Sequence, residues 1–201
     1  MATTAAPRIT DSPVGRTTSL PTVTVTEEVG KVGPVAFAAL RIATGFVFLW
    51  AFLDKTFGLG YSTPDARAWI NGGSPTNGFL SHVDYGPFKG FFNAIAGNPI
   101  ADWLFMLGLL GVGVAAIAGA GLRIAAIAGS LMMLMMWVAE WPLAQFTETG
   151  DPTGSTNPIV DYHLIYALAL IVCAAYGAGR YFGLGNWWSS LTFVRRNPWL
   201  R

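Results

Sequence analysis

Apolar residues gather into four long runs, separated by polar or Gly/Pro-rich segments. The first extends from Val35 to Leu53, directly after Pro34; the second covers Ile100 to Ala120, the third Leu122 to Trp141, and the fourth Ile159 to Gly179. At ~1.5 Å rise per residue, runs of about 20 residues match the ~30 Å hydrocarbon core of a bilayer. Lipid offers no partner to an open backbone group, so each run is expected to be a helix, which satisfies its own N–H and C=O groups. The pattern predicts an all-α membrane protein, a four-transmembrane-helix bundle. Only the turn around Gly119–Gly121 divides the second run from the third, so these two should form an antiparallel hairpin. The fourth run follows Asn157-Pro158, and a proline fits the first turn of a helix because its missing N–H is not needed there.

Three regions follow from this segmentation. Residues 1–33 are rich in Thr, Pro and Val, carry no apolar signal-peptide core, and read as a disordered tail. Residues 34–180 form the transmembrane domain, and residues 181–201 an aromatic and basic tail. The long segment after the first run holds two stretches with apolar faces, Ala66 to Ile70 and Phe88 to Ala96, separated by Gly72-Gly73-Ser74-Pro75. They are expected to be short interfacial helices in the first extracytoplasmic loop, lying over the outer mouth of the bundle.

Basic residues orient the bundle. Arg8, Arg16, Lys31, Arg123, Arg180, Arg195, Arg196 and Arg201 lie on one predicted side; Lys55, Arg67 and Lys89 lie in the first loop of the other, and the segment from Pro142 to Asn157 has none. The excess of Lys and Arg marks the cytoplasmic side, so both termini are expected in the cytoplasm and the bundle in the plasma membrane. Trp50 and Trp141 fall near the outer interface, and Trp187, Trp188 and Trp199 near the inner one.

Composition narrows the chemistry. The chain is 53% hydrophobic and 11% charged with a net charge of +1, and no clustered basic face points to nucleic acid. A single cysteine, Cys173, forms neither an intrachain disulfide nor a Cys-x-x-Cys motif, and two histidines, His82 and His163, cannot serve a multi-haem electron wire. The methionines Met132, Met133, Met135 and Met136 point around the helix in several directions, as packing residues do, rather than forming a Cu(I) site. No metal or haem is expected.

Ionisable groups inside a membrane are expensive and become functional candidates. Lys55 ends the first run, Glu140 lies near the outer end of the third beside Trp137 and Trp141, and Asp161 and His163 open the fourth. All share one predicted depth, so an outer polar pocket roofed by the first loop is expected. Lys55 would bind an anion there, while Glu140, Asp161 and His163 pass protons, as electron and proton transfer to a quinone requires. These four are the candidate catalytic residues; Arg41, Trp50, Asp54, Trp137 and Tyr166 are the candidate substrate- and quinone-binding residues. Arg41 lies about 10 Å inside the predicted inner edge, on a stripe with Gly45, Phe48, Phe52 and Lys55. It either faces the bundle or snorkels to the lipid phosphates, and the outer groups also read simply as caps and salt bridges at span ends.

Several segments carry a family resemblance: Leu40-Arg41-Ile42 with Phe48-Leu49-Trp50-Ala51-Phe52-Leu53-Asp54-Lys55, then Ala68-Trp69-Ile70-Asn71-Gly72-Gly73-Ser74-Pro75-Thr76, and Asn157-Pro158 followed by Asp161-Tyr162-His163. Residues 34–180 resemble the DoxX/DoxD family of small membrane proteins. The resemblance implies a four-helix membrane subunit and, for the DoxD branch, oxidation of thiosulfate to tetrathionate with reduction of a membrane quinone, together with a second small subunit. In the broader DoxX branch it implies a membrane partner of a soluble redox enzyme. The chain contains no Fe–S ligand set and no dithiol motif of its own, which favours an electron donor brought close to the quinone or a partner carrying the cofactor. A non-catalytic anchor and a small-solute transporter are the rivals, although the repeats and broken helices of a transporter are not seen in the sequence.

Overall fold

The computed structural model describes the backbone of residues 25–201 and the side chains from residue 32 onward; the first part of the expected N-terminal tail, residues 1–24, lies outside the described residues. Helix α1 runs from Val25 to Phe57. The first loop folds into 3₁₀ turns at Asp65–Arg67 and Trp69–Asn71 and short helices α2 (Asn77–Leu80) and α3 (Lys89–Ile95). Helices α4 (Pro99–Ala118), α5 (Leu122–Glu140) and α6 (Tyr162–Ala175) follow, then a 3₁₀ turn at Ala178–Arg180, α7 (Gly185–Ser190), α8 (Thr192–Arg196) and a last turn at Pro198–Leu200. Among the described residues there is no β-sheet.

Three helices are long and apolar enough to cross a membrane: α1 over Val32–Phe57, α4 and α5. Two boundaries differ from the sequence expectation. Helix α1 continues through Pro34 rather than starting after it, because a proline removes one intrahelical hydrogen bond and kinks a long helix without having to end it. Helix α6 is 14 residues long and starts at Tyr162, not Ile159. Its N-cap is Asp161, whose carboxylate accepts from the Leu164 N–H at 3.2 Å, so Pro158 precedes the helix and does not occupy its first turn. At the other end Gly177 adopts a left-handed conformation, φ 61°, and breaks the run before Gly179.

Contacts α1–α4, α4–α5, α5–α6 and α6–α1 close the four long helices into a ring. Its interior is built from Phe48, Met106, Leu109, Val112, Met133 and Leu170 with small residues between them, while Leu104, Leu107, Ile127, Leu131, Leu134, Ile165, Leu168 and Ile171 face outward. Small residues set among the larger ones of the interior, as at Ala116, Ala126, Ala167 and Ala174, let helices approach closely in the way that helices associate in lipid. The α1–α4 seam uses a glycine from each side. A Cβ on Gly45 would fall 2.9 Å from Ala116 Cβ and the Ile117 N, and one on Gly113 would fall 2.7 Å from the Leu49 N. The expected turn at Gly119–Gly121 is present, with both glycines left-handed.

Arg41 faces the bundle, not the lipid. It is 1% exposed, and its guanidinium donates to the carbonyls of Ala116 and Ile117 at the end of α4 and to those of Tyr181 and Phe182, the last two at 3.3 and 3.1 Å. One side chain on α1 thereby caps α4 and fastens the segment that follows α6, giving its buried charge several acceptors. Arg41→Met is expected to lower unfolding stability in detergent by about 3–5 kcal/mol, since one member of a buried charged network is removed. Gly113→Ala should cost about 1–3 kcal/mol through overpacking. Gly111→Ala, where an added Cβ meets nothing within 4 Å, should be neutral or stabilising; equal losses in the two alanine variants would contradict this account of the seam.

Candidate functional site

The C-terminal end of α5 and the N-terminal end of α6 are brought together by what terminates each helix. Helix α5 stops at Glu140 because Trp141 takes a left-handed conformation, φ 40°, uncommon for a non-glycine residue, and Pro142 follows. The Trp137 indole N–H donates to the Ile159 carbonyl at 3.0 Å, tying α5 to the segment that leads into α6. Asp161 then caps α6 and projects its second oxygen towards His163.

His163 is fully buried. Its Nδ1 lies 2.8 Å from Asp161 Oδ2 and 3.9 Å from Glu140 Oε2. The Tyr162 hydroxyl donates to the other Glu140 oxygen at 2.8 Å, and the Tyr162 ring lies over the imidazole at 4.0 Å between centroids. His163 shares a helix face with Ala167, Leu170 and Ala174, all buried in the bundle, so the ring's far side turns inward. There Nε2 is buried with no hydrogen-bond partner. The site therefore has two polarities: a carboxylate side reaching the surface through half-exposed Glu140 and exposed Tyr162, and an inward nitrogen free to engage a ligand. Tyr166 lies 6.2 Å from Tyr162 and packs on the interior.

The ligand atoms of Glu140, Asp161 and His163 lie within 4.8 Å of one another. The trio could hold a divalent ion through Nδ1 and one oxygen from each carboxylate, provided that Nδ1 gave up its bond to Asp161.

The first loop roofs this end, as its apolar faces suggest. Leu80, Val83 and Phe92 pack on Ala139 of α5, and Gly86 approaches the Trp141 ring so closely that a Cβ there would lie 3.0 Å away. Tyr85, not singled out in the sequence, lies in the same loop; burial, together with the Asp84 and Glu140 carboxylates, pushes its phenol above the usual tyrosine range. An exposed ion pair, Lys89–Glu148 at 3.2 Å, links the loop after α1 to the loop between α5 and α6.

Other candidates lie apart from this cluster. Arg41 is at the opposite end of the bundle, where its guanidinium donates to backbone carbonyls. Asp54 is buried and accepts from the N–H groups of Tyr61 and Ser62 at 3.1 and 3.0 Å and from the Ser62 hydroxyl at 2.6 Å, so it shapes the start of the first loop. The Trp50 ring packs edge-on against Tyr61 at 5.1 Å. Among the described residues no ion pair joins Lys55 to Glu140, Asp161 or His163. Asp102, on the first turn of α4, was not a candidate, yet it is buried and accepts from Ser74 Oγ, Thr76 N and Thr76 Oγ1 at 3.0, 2.9 and 2.7 Å. The Gly72–Thr76 segment of the resemblance is thus docked onto α4, with Trp69 beside Trp103 at 4.7 Å.

Compared with protein-family models, curated proteins and solved structures, the chain matches none.

Asp161 has two roles that substitution separates. Asp161→Asn keeps a good N-cap and should cost little in thermal stability, whereas Asp161→Ala loses the cap and should fall a further ~1 kcal/mol or so. Identical melting temperatures for the two variants would show that Asp161 does not cap α6.

Proposed function

We propose that this chain is a quinone-linked redox subunit of DoxX/DoxD type, with four helices spanning the plasma membrane and both termini cytoplasmic. The observation that carries this reading is His163, buried at the inner face of a carboxylate cluster with Nδ1 on Asp161 and Nε2 unpartnered towards the bundle interior. An imidazole can take a proton at one nitrogen while releasing one at the other. Helix α6 is shorter than the other three, but its contacts with α5 and α1 complete the ring, which supports four spans.

A quinone supplies the electron acceptor, taking up two electrons and two protons. His163 would pass a proton from Nε2 to a quinone oxygen as Nδ1 takes one from Asp161 or Glu140, which the surface that Tyr162 borders would resupply; the second proton would follow once the ring has regained its Nε2–H. Tyr166 and Trp137 fit an aromatic surround. In the DoxD-type reaction the electrons come from two thiosulfates, each losing one as a single S–S bond joins them into tetrathionate. Lys55 suits attraction of such an anion at the outer end, and a second small subunit or a soluble redox enzyme is the expected partner.

The anchor reading has its own support, since Arg41, Asp54 and Asp102 all satisfy backbone or loop groups, as in a chain whose charges serve assembly. Quinone reduction by the purified protein in liposomes, with and without thiosulfate, separates the two. The native chain should show a thiosulfate-dependent rate that falls by about 10²-fold or more in His163→Ala and also falls in Lys55→Ala. No rate above background from the native protein, alone or with co-purifying partners, would leave the anchor.

A further inference from the structure

We infer that the end of the bundle at the α4–α5 turn is a binding site for an anionic phospholipid, with the phosphate among arginines and an acyl chain along α4 and α5. Two adjoining cavities carry this inference, and neither belongs to the His163 cluster. The first, of about 140 Å³, is lined by Arg123, Arg180 and Arg201 together with the Gly121 and Gly177 turns. No Asp or Glu lines it. The second, of about 300 Å³, is an apolar groove between α4 and α5 formed by Leu107, Gly111, Ala115, Ile124 and Ala128. Trp188 and Gly121 border both cavities, so one ligand with a charged head and an apolar tail spans them.

The chain builds the basic chamber by folding its last segment back over the start of α5. Arg123 donates to the Trp199 carbonyl at 3.1 Å, and the Trp188 indole donates to the Leu200 carbonyl at 2.9 Å. Arg180 has no ion pair among the described residues. Arg123, Arg180 and Arg201 are exposed and line one open cleft, where an anion can accept N–H bonds from more than one of them. The volume far exceeds the roughly 10–15 Å³ that one water centre needs, which leaves space for a phosphate. The groove is as specific in shape as the chamber is in charge. A Cβ on Gly111, which is exposed, would meet nothing within 4 Å, so at this position the groove stays open on the lipid-facing side. Basic pockets between membrane helices hold anionic head groups for the same reasons.

The test uses the full chain purified in mild detergent and read by native mass spectrometry. It is titrated with phosphatidylglycerol, with phosphatidylcholine of the same acyl chains, and with glycerol 3-phosphate. The native protein should retain phosphatidylglycerol about 10-fold or more tightly than phosphatidylcholine. Arg123→Gln/Arg180→Gln should lose that preference, and Arg123→Lys/Arg180→Lys, which keeps the charge, should restore much of it and so exclude simple misfolding. Gly111→Leu should weaken retention of both lipids by filling the groove. Equal retention of the two lipids by the native chain, or an unchanged preference in the glutamine variant, overturns the inference. So does glycerol 3-phosphate binding as tightly as the intact lipid with no effect of Gly111→Leu, which would make this a site for free phosphate esters.

Discussion

A guanidinium buried among membrane helices must be given acceptors, and the way Arg41 obtains them organises the bundle. Its partners are carbonyls that a helix end leaves unsatisfied, those of Ala116 and Ile117, and carbonyls of the irregular segment at Tyr181 and Phe182. Two sets of costly backbone groups and one costly charge thus neutralise one another. The bond set fixes the height of α1 against α4, and that height makes Gly45 meet Ala116 and Gly113 meet Leu49. Shifted by one residue, the glycines would no longer oppose the close approaches, so clamp and seam specify the same register.

The other end is organised by carboxylates. Asp54 gathers the N–H groups of the first loop's start, Asp102 gathers Ser74 and Thr76 from its middle, and Asp161 caps α6 while holding His163. Each acceptor is placed where a loop supplies donors that no helix can satisfy. The outer loop is consequently a fixed roof, and its apolar residues Leu80, Val83 and Phe92 close it onto the last turn of α5.

How much of this was legible in the sequence follows from the range of the interactions. The apolar runs gave α4 and α5 nearly to the residue, and the Gly119–Gly121 turn with them, because hydropathy and turn chemistry are local. The stripe of Arg41, Gly45 and Phe48 also emerged from helical spacing and is buried as a unit. Pro34 and Pro158 misled because a proline marks a boundary only where nothing else holds the helix, and the Asp161 cap decides the start of α6. Asp102 was hidden inside an apolar run, with donors far away in sequence at Ser74 and Thr76. Tyr85 and the folded-back C-terminal turns depend on loop closure over long separations, which periodicity does not encode. For the site, Glu140, Asp161 and His163 were readable as charges at one depth; that Asp54 is taken up by the Tyr61 and Ser62 donors of the first loop was not, since depth says nothing about which partners a charge finds.

Arg41 and His163 each retain one buried nitrogen without a hydrogen bond, and the comparison shows why only one suggests chemistry. Arg41 Nε belongs to a group already held through both terminal nitrogens by four carbonyls, so its missing bond is a small part of a satisfied cation. The His163 imidazole is anchored on one side alone. With Nδ1 carrying the proton to Asp161, Nε2 is a lone pair in an apolar interior; with the ring charged between Asp161 and Glu140, Nε2 is an unpartnered N–H in the same place. Either state leaves a polar atom whose burial costs on the order of 1–3 kcal/mol. The two states call for opposite partners, a hydroxyl in the first and a carbonyl in the second, and the quinol and quinone proposed as ligands would be such a pair. An imidazole anchored on one side alone, rather than the presence of buried charge, distinguishes this end of the bundle from the one that Arg41 holds together.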